Sequence, residues 1–296
     1  MITLENEHLI VKIKEEGAEL TSVIDKKTSH EFLWQADEAF WGRQAPVLFP
    51  IVGKLKDDRY QVNDTEYTMS QHGFARDMTF TTQNVTSNSA SLYLKNDEST
   101  KEKYPFDFSL QINYILHYDS ITVSYEILNP SNNESLYYSI GGHPAFNISQ
   151  SRQNSKLEFD DVSFTFEPEG QYLKIPLNKE GLTQPNKAKY VEVNNVPLKH
   201  TSFKNDALIY QISRQTEVVL TDHHSMVEIR VKPNRMDYVG IWSPYPKRAP
   251  FICIEPWSSI ADPEDSTGHL KDKYAIHELL PSQLMTHDYT MQFKKN

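Results

Sequence analysis

Apolar and polar residues alternate with a period of two through much of this chain. Leu110, Ile112, Tyr114 and Leu116 are spaced in this way, and Ile121, Val123, Tyr125 and Ile127 repeat it after Asp119-Ser120. Val227, Ile229 and Val231 follow, interleaved with Glu228 and Arg230, while Phe164 with Phe166 and Leu208 with Tyr210 mark further candidates. Successive side chains of a strand point to opposite faces, so the alternation predicts strands with one buried face. The aromatic and β-branched residues favour the same pleated conformation. Turn residues punctuate the runs at Asn63-Asp64, Asn129-Pro130-Ser131-Asn132-Asn133, Glu167-Pro168-Glu169-Gly170 and Lys232-Pro233-Asn234. Helical spacing is confined to two short windows, Ser99 to Tyr104 and Tyr274 to Leu280. Many strands at hairpin spacing with few helices predict an all-β fold of antiparallel sheets, packed as a sandwich or closed as a barrel. The polar, proline-bearing stretch from Gln171 to Asn195 reads as a long loop or a hairpin insertion. No internal repeat or low-complexity linker divides the chain, so a single domain over residues 1–296 is expected.

Composition narrows the partners. The formal net charge is -10 with no long basic run, which argues against nucleic acid and against an anionic membrane surface. No apolar run approaches the ~20 residues that span a bilayer, and the N-terminal residues lack a basic segment followed by an apolar one. The single cysteine, Cys253, cannot form an intramolecular disulfide. A cytoplasmic location is expected.

Three separated motifs carry candidate chemistry: Gln71-His72-Gly73-Phe74-Ala75-Arg76, Gly141-Gly142-His143-Pro144-Ala145-Phe146 and Cys253-Ile254-Glu255-Pro256-Trp257. Glu255 ends an apolar strand pattern, where alternation puts it on one face with Cys253 and opposite Ile252 and Ile254. A carboxylate in that place is partly desolvated, which raises its pKa toward that of a general base. It equally suits a strand-end glutamate that reaches solvent or pairs with an arginine. His143 follows two glycines that permit close approach of backbone or ligand, and its ordinary pKa of roughly 6.5 suits a proton donor. A histidine capping a turn fits the same residues. His72 also stands where a strand gives way to a glycine turn. Arg76 reads either as a substrate clamp or as a surface partner of Asp77, and Phe74 as core. His223-His224 would point to opposite faces of a strand. His8, His30, His117, His200, His269, His277 and His287 read as surface or core residues. No zinc spacing, nucleophile elbow, P-loop or dinucleotide fingerprint is present, so neither a metal nor a cofactor is expected.

Taken in order, these motifs resemble the aldose 1-epimerase (galactose mutarotase) family, in its LacX-like branch. The likeness also takes in Gly17-Ala18-Glu19-Leu20, Pro46 to Leu55, Asn205-Asp206-Ala207-Leu208 and Tyr238 to Ser243, and so runs over nearly the whole chain. It implies a large antiparallel β-supersandwich with a sugar cleft, acting on a hexose or hexose phosphate, as a monomer or homodimer. By the resemblance Glu255 is the general base at the anomeric hydroxyl and His143 the general acid at the ring oxygen, on opposite sides of the ring. His72 is similar to the family's second histidine, and Asp206 to the aspartate that binds ring hydroxyls. Lys54 stands where an arginine is usual, which keeps the cation and loses the bidentate fork. Trp257 and Trp242 read as a wall for the sugar or as core. Relatives that act on hexose 6-phosphates share the His-Gly-Phe-Ala-Arg motif, and Arg43, Lys54, Lys56, Arg59 and Arg76 make a local basic group. Phosphosugar epimerisation, sugar binding without turnover and glycoside hydrolysis, with Asp206 as second carboxylate, stay open as alternatives.

Overall fold

A computed structural model describes residues 1–295. Each period-two run lies in a strand: Ser109–His117, Ser120–Leu128, Val162–Glu167, Leu208–Gln211 and Val227–Lys232. In Ser120–Leu128 every second residue is buried, as one face against a core requires. This strand belongs to a nine-stranded sheet that runs from Val196–Pro197 at one edge to Thr81–Val85 at the other. Within it, Leu284–Lys295 lies between Val227–Lys232 and Ser120–Leu128 and pairs antiparallel with both.

The second large sheet has eight strands and is built around Phe251–Trp257, whose seven residues are all buried. Tyr238–Trp242 pairs along one side of that strand, and Gly141–Gly142 and Ala145–Asn147 along the other. Ile121, Val123 and Tyr125 of the first sheet share one buried cluster with Val239, Ile241, Ile252 and Ile254 of the second. The inner faces of both sheets therefore close over a common core, in a large antiparallel β-sandwich with few and short helices. A three-stranded sheet, Ile2–Glu5, Leu9–Ile13 and Leu20–Asp25, adds its apolar face to the same cluster.

Two local expectations meet different outcomes. The first helical window holds a single turn, Glu98–Lys101, begun by the Asp97 side chain accepting from the Thr100 N–H at 2.9 Å. The second is not helical. Leu270–Asp272 forms a 3-10 turn and His277–Leu279 a strand paired with Leu136–Tyr138. Helical spacing over seven residues is a weak signal, and the partner strand outweighs it here: Leu279 is buried and the His277 ring packs 5.5 Å from Tyr138. The stretch from Gln171 to Asn195 is a hairpin, Gln171–Ile175 against Lys189–Glu192, at the edge of the eight-stranded sheet.

Beside His277, with ring centroids 4.9 Å apart, the His287 ring is held on both sides. Its Nδ1 lies 3.0 Å from the Arg235 carbonyl oxygen and its Nε2 2.9 Å from the Tyr138 hydroxyl. A carbonyl can only accept, so Nδ1 carries the hydrogen, and in the neutral ring that leaves Nε2 to accept from the Tyr138 hydroxyl. Burial pushes the His287 pKa from 6.5 down to about 4. Between those values the unfolded chain binds the proton and the folded chain does not, so stability is full above pH 6.5 and falls as the pH drops toward 4. The loss is on the order of 3 kcal/mol if the whole shift is expressed. Urea unfolding at neutral pH and near pH 4.5 should show it. His287→Gln keeps a donor and an acceptor without titrating, and should narrow the gap between the two conditions. An unchanged gap would remove His287 as its source.

Candidate active site

Strand Phe251–Trp257 is the spine of the site. Ile252 and Ile254 face the shared core, which turns Cys253 and Glu255 to the other face, as the alternation predicts. Gly141 pairs with Trp257 and Ala145 with Cys253, so the residues between them run alongside Glu255 in register. His143 is thereby its cross-strand neighbour. The His143 Nε2 atom lies 2.9 Å from Glu255 Oε2. Without sugar, the two side chains touch.

The contact is close but not aligned along the N–H. Among the described residues, neither Glu255 Oε2 nor His143 Nδ1, both buried, has a hydrogen-bond partner. Glu255 is only 1% exposed, and burial raises its pKa above the ordinary carboxylate value while His143 pulls the other way. His143 is enclosed by two indoles. Trp41 lies 4.9 Å from it at an interplanar angle of 31°, and Trp242 meets it edge-on at 5.6 Å. Trp257 fills a slot between two glycine backbones, since a Cβ on either Gly141 or Gly240 would stand 2.7 Å from its ring. The Trp257 Nε1 is another buried atom without a partner.

His72 comes to the site on a strained turn, with φ of 69° followed by Gly73 at 70°. Its N–H donates to the Gly53 carbonyl at 2.9 Å, and its Nδ1 accepts from the Gly53 N–H at 3.1 Å. Nδ1 being the acceptor, Nε2 carries the hydrogen, beside the Gln71 side-chain amide at 3.3 Å. Burial, and then the neighbouring His143 and Arg76, push the His72 pKa well below its usual value. His72 is thus a neutral donor.

Arg76 donates to the Gln71 carbonyl at 2.8 Å and keeps a buried Nε without a partner. Arg43 does not join it in the cleft. Its guanidinium binds Asp77 at 2.6 Å, taking the partner that the sequence offers to Arg76, whose own distance to Asp77 is 4.0 Å. The local basic group is also divided: Lys54 and Arg76 line the cleft, while Arg59 pairs with Glu66 at 3.6 Å.

These side chains surround one cleft of about 290 Å³, with Glu255, His143 and His72 on its lining together with Trp41, Trp242 and Trp257. Asp206 and Lys54 line it as well, and both approach within 4.0 Å of where a side chain on Gly181 would begin. Asp206 stays exposed as a residue, yet the protein walls around its carboxyl push its pKa upward.

Sequence reasoning missed two parts of the lining. Leu177 and Gly181 come from the 171–195 hairpin, recognised as an insertion but not as a wall. Trp41 comes from a segment without period. Glu19, fully buried and paired with Lys14 at 2.7 Å, pins that segment by accepting from the N–H groups of Gln44 and Ala45. The adjacent aromatics Phe40-Trp41 in a polar, non-alternating stretch were the available signal. Among the described residues, His143, Cys253 and Glu255 are the group whose donor atoms lie near enough to share a metal ion.

The family model for aldose 1-epimerase matches residues 1–268. The chain is 31% identical to the chromosomal protein LacX of Lactococcus lactis subsp. lactis, over 95% of both chains. Among solved structures it is similar to a galactose mutarotase related enzyme from Lactobacillus acidophilus, with 36% identity and a TM-score of 0.94 over 99% of this chain and 97% of that one. A galactose mutarotase-like protein from Lactobacillus casei superposes with a TM-score of 0.92 at 28% identity, over 99% and 100%.

Proposed function

The chain belongs to the aldose 1-epimerase family, and we propose that it interconverts the α and β anomers of a hexose by acid–base opening and closing of the ring. The observation that carries this reading is the Glu255–His143 contact on the lining of a single cleft whose buried polar atoms lack partners. A polyhydroxylated ring supplies the donors and acceptors that such atoms require.

In this reading the sugar replaces the direct contact between the two side chains. Glu255, made more basic by burial, takes the proton of the anomeric hydroxyl. His143 delivers a proton to the ring oxygen, and the C1–O5 bond breaks. The open-chain aldehyde turns about C1–C2. Closure on its other face returns one proton from Glu255 to the new anomeric oxygen and one from the ring hydroxyl to His143, so the site ends as it began. His72, neutral with Nε2–H outward, donates to the ring, while Asp206 and Lys54 bind hydroxyls. Anomer exchange followed by NMR for glucose, galactose and their 6-phosphates tests this. Acceleration of at least one sugar is expected, and no acceleration of any would leave sugar binding without turnover as the reading.

A second reading has its own support. The unpartnered Nε of Arg76 together with Lys54 offers a cationic end to the cleft, which suits a hexose 6-phosphate. Arg76→Ala should then weaken the phosphosugar by about tenfold more than the free sugar. Equal losses for both would favour the free hexose.

A further inference from the structure

The strand face that presents Glu255 to the cleft also carries Cys253 two residues earlier, and His143 stands beside them from the neighbouring segment. One donor atom from each of the three buried residues lies within 4.8 Å of the other two. We propose that His143, Cys253 and Glu255 form an inhibitory site for a thiophilic divalent cation such as Zn²⁺, which enters through the cleft and captures the acid–base pair. The proposal rests on the catalytic reading of that pair.

The geometry suits the ion. Zinc bonds of about 2.3 Å to sulfur and 2.0–2.2 Å to nitrogen and oxygen place tetrahedral ligand atoms roughly 3.3–3.6 Å apart. The His143–Glu255 distance of 2.9 Å and the 4.8 Å limit on the set bracket that range, so small side-chain shifts complete the site. Independently, Glu255 Oε2 is buried and has no aligned hydrogen-bond donor, leaving it available as a ligand. Thiolate, carboxylate and neutral imidazole sum with Zn²⁺ to zero charge, which a desolvated site accommodates far better than a bare ion. Asp206, His72 with its ring 5.6 Å from that of His143, Lys54 and Arg76 are the other charged or titratable side chains on the cleft lining; the Asp206 carboxyl favours a cation, and Lys54 and Arg76 oppose it.

Binding exchanges protons for metal. Burial holds the Cys253 thiol well above its usual pKa, so sulfur enters as the thiol and gives up its proton when the S–Zn bond forms. The proton carried by the Glu255–His143 pair leaves as O–Zn and N–Zn bonds form, and the six-water aqueous ion gives up about five waters, keeping one in a tetrahedral site. The fourth position faces the cleft. With no proton to give and no free carboxylate to receive one, the pair cannot open a ring.

Cys253 is the only cysteine, so a thiolate signal has one possible source. Titration of metal-free protein with CoCl₂ should raise the near-ultraviolet thiolate-to-cobalt charge-transfer band in the wild type and not in Cys253→Ser or Cys253→Ala. ZnCl₂ should inhibit anomer exchange in competition with sugar and reversibly by chelator. Either Cys253 variant, active without metal, should need about 10- to 100-fold more zinc, or beyond. Absence of the band in the wild type, or equal zinc sensitivity with and without Cys253, would overturn the proposal. Should no sugar be turned over, the cobalt spectrum still decides the metal site by itself, separately from the epimerase reading.

Discussion

On the proposed reading, Glu255→Gln is expected to lower anomer exchange by about 10²- to 10⁴-fold while the protein stays folded. The substitution preserves size and removes only the capacity to take a proton. Glu255 sits fully inside, on a strand whose every residue is buried, so glutamine keeps the packing that alanine would lose. Removing a desolvated carboxylate also removes part of what that burial costs, and thermal unfolding should not fall. The fall in rate is expected chiefly in kcat, because the proposed role of the carboxylate is to move a proton in the transition state. Magnetisation transfer between the anomeric resonances measures the rate, and circular dichroism on the same sample reports folding. A variant with wild-type exchange would place the base elsewhere in the cleft, and Asp206 would be the residue to test next.

Gly73→Ala costs about 3–5 kcal/mol, a loss large enough to be seen as reduced soluble yield. Gly73 has φ of 70°, a conformation that by itself disfavours alanine by about 1–2 kcal/mol. The added methyl would also lie 2.3 Å from the Phe49 carbonyl oxygen and 2.7 Å from the Pro50 nitrogen. That carbonyl cannot retreat freely, since it accepts from the N–H groups of Phe74 and Ala75 at 3.0 and 3.1 Å. Relief therefore requires the whole turn to move, and His72 with it. Urea unfolding should show the lost stability, and any folded fraction should exchange anomers more slowly because His72 is displaced. A loss below about 1 kcal/mol would mean the turn rebuilds around the methyl.

The strands were legible because burial on one face writes itself into alternate residues, as from Leu110 to Leu116 and from Ile121 to Ile127. Although the strand does not end at Glu255 as expected but pairs on through Pro256 to Trp257 with Tyr238–Trp242, Glu255 and His143 were legible as candidate groups beside proline and glycine. Their contact was not. It depends on the register between Gly141–Asn147 and Phe251–Trp257, a pairing of segments more than a hundred residues apart that no local pattern encodes. The stronger partner of Asp77 was hidden for the same reason, since Arg43 reaches it from another segment at 2.6 Å while the adjacent Arg76 stays at 4.0 Å. His277–Leu279 became a strand because Leu136–Tyr138 lay ready to pair with it, a tertiary cause. Trp41, in a stretch with no period, left only its neighbouring aromatic as a clue.

Strand Leu284–Lys295 is synthesised after every one of its sheet partners, yet it sits in the interior of its sheet and bridges Val227–Lys232 to Ser120–Leu128. A ribosome making this chain must therefore hold two unjoined half-sheets, each with an open edge of unpaired backbone groups, until residues 284–295 emerge from the exit tunnel. Exposed edges of that kind recruit other chains. Translation pauses late in the message, or truncation before Leu284, should accordingly yield aggregates rather than a shortened soluble protein, although the residues that line the cleft would all have been made.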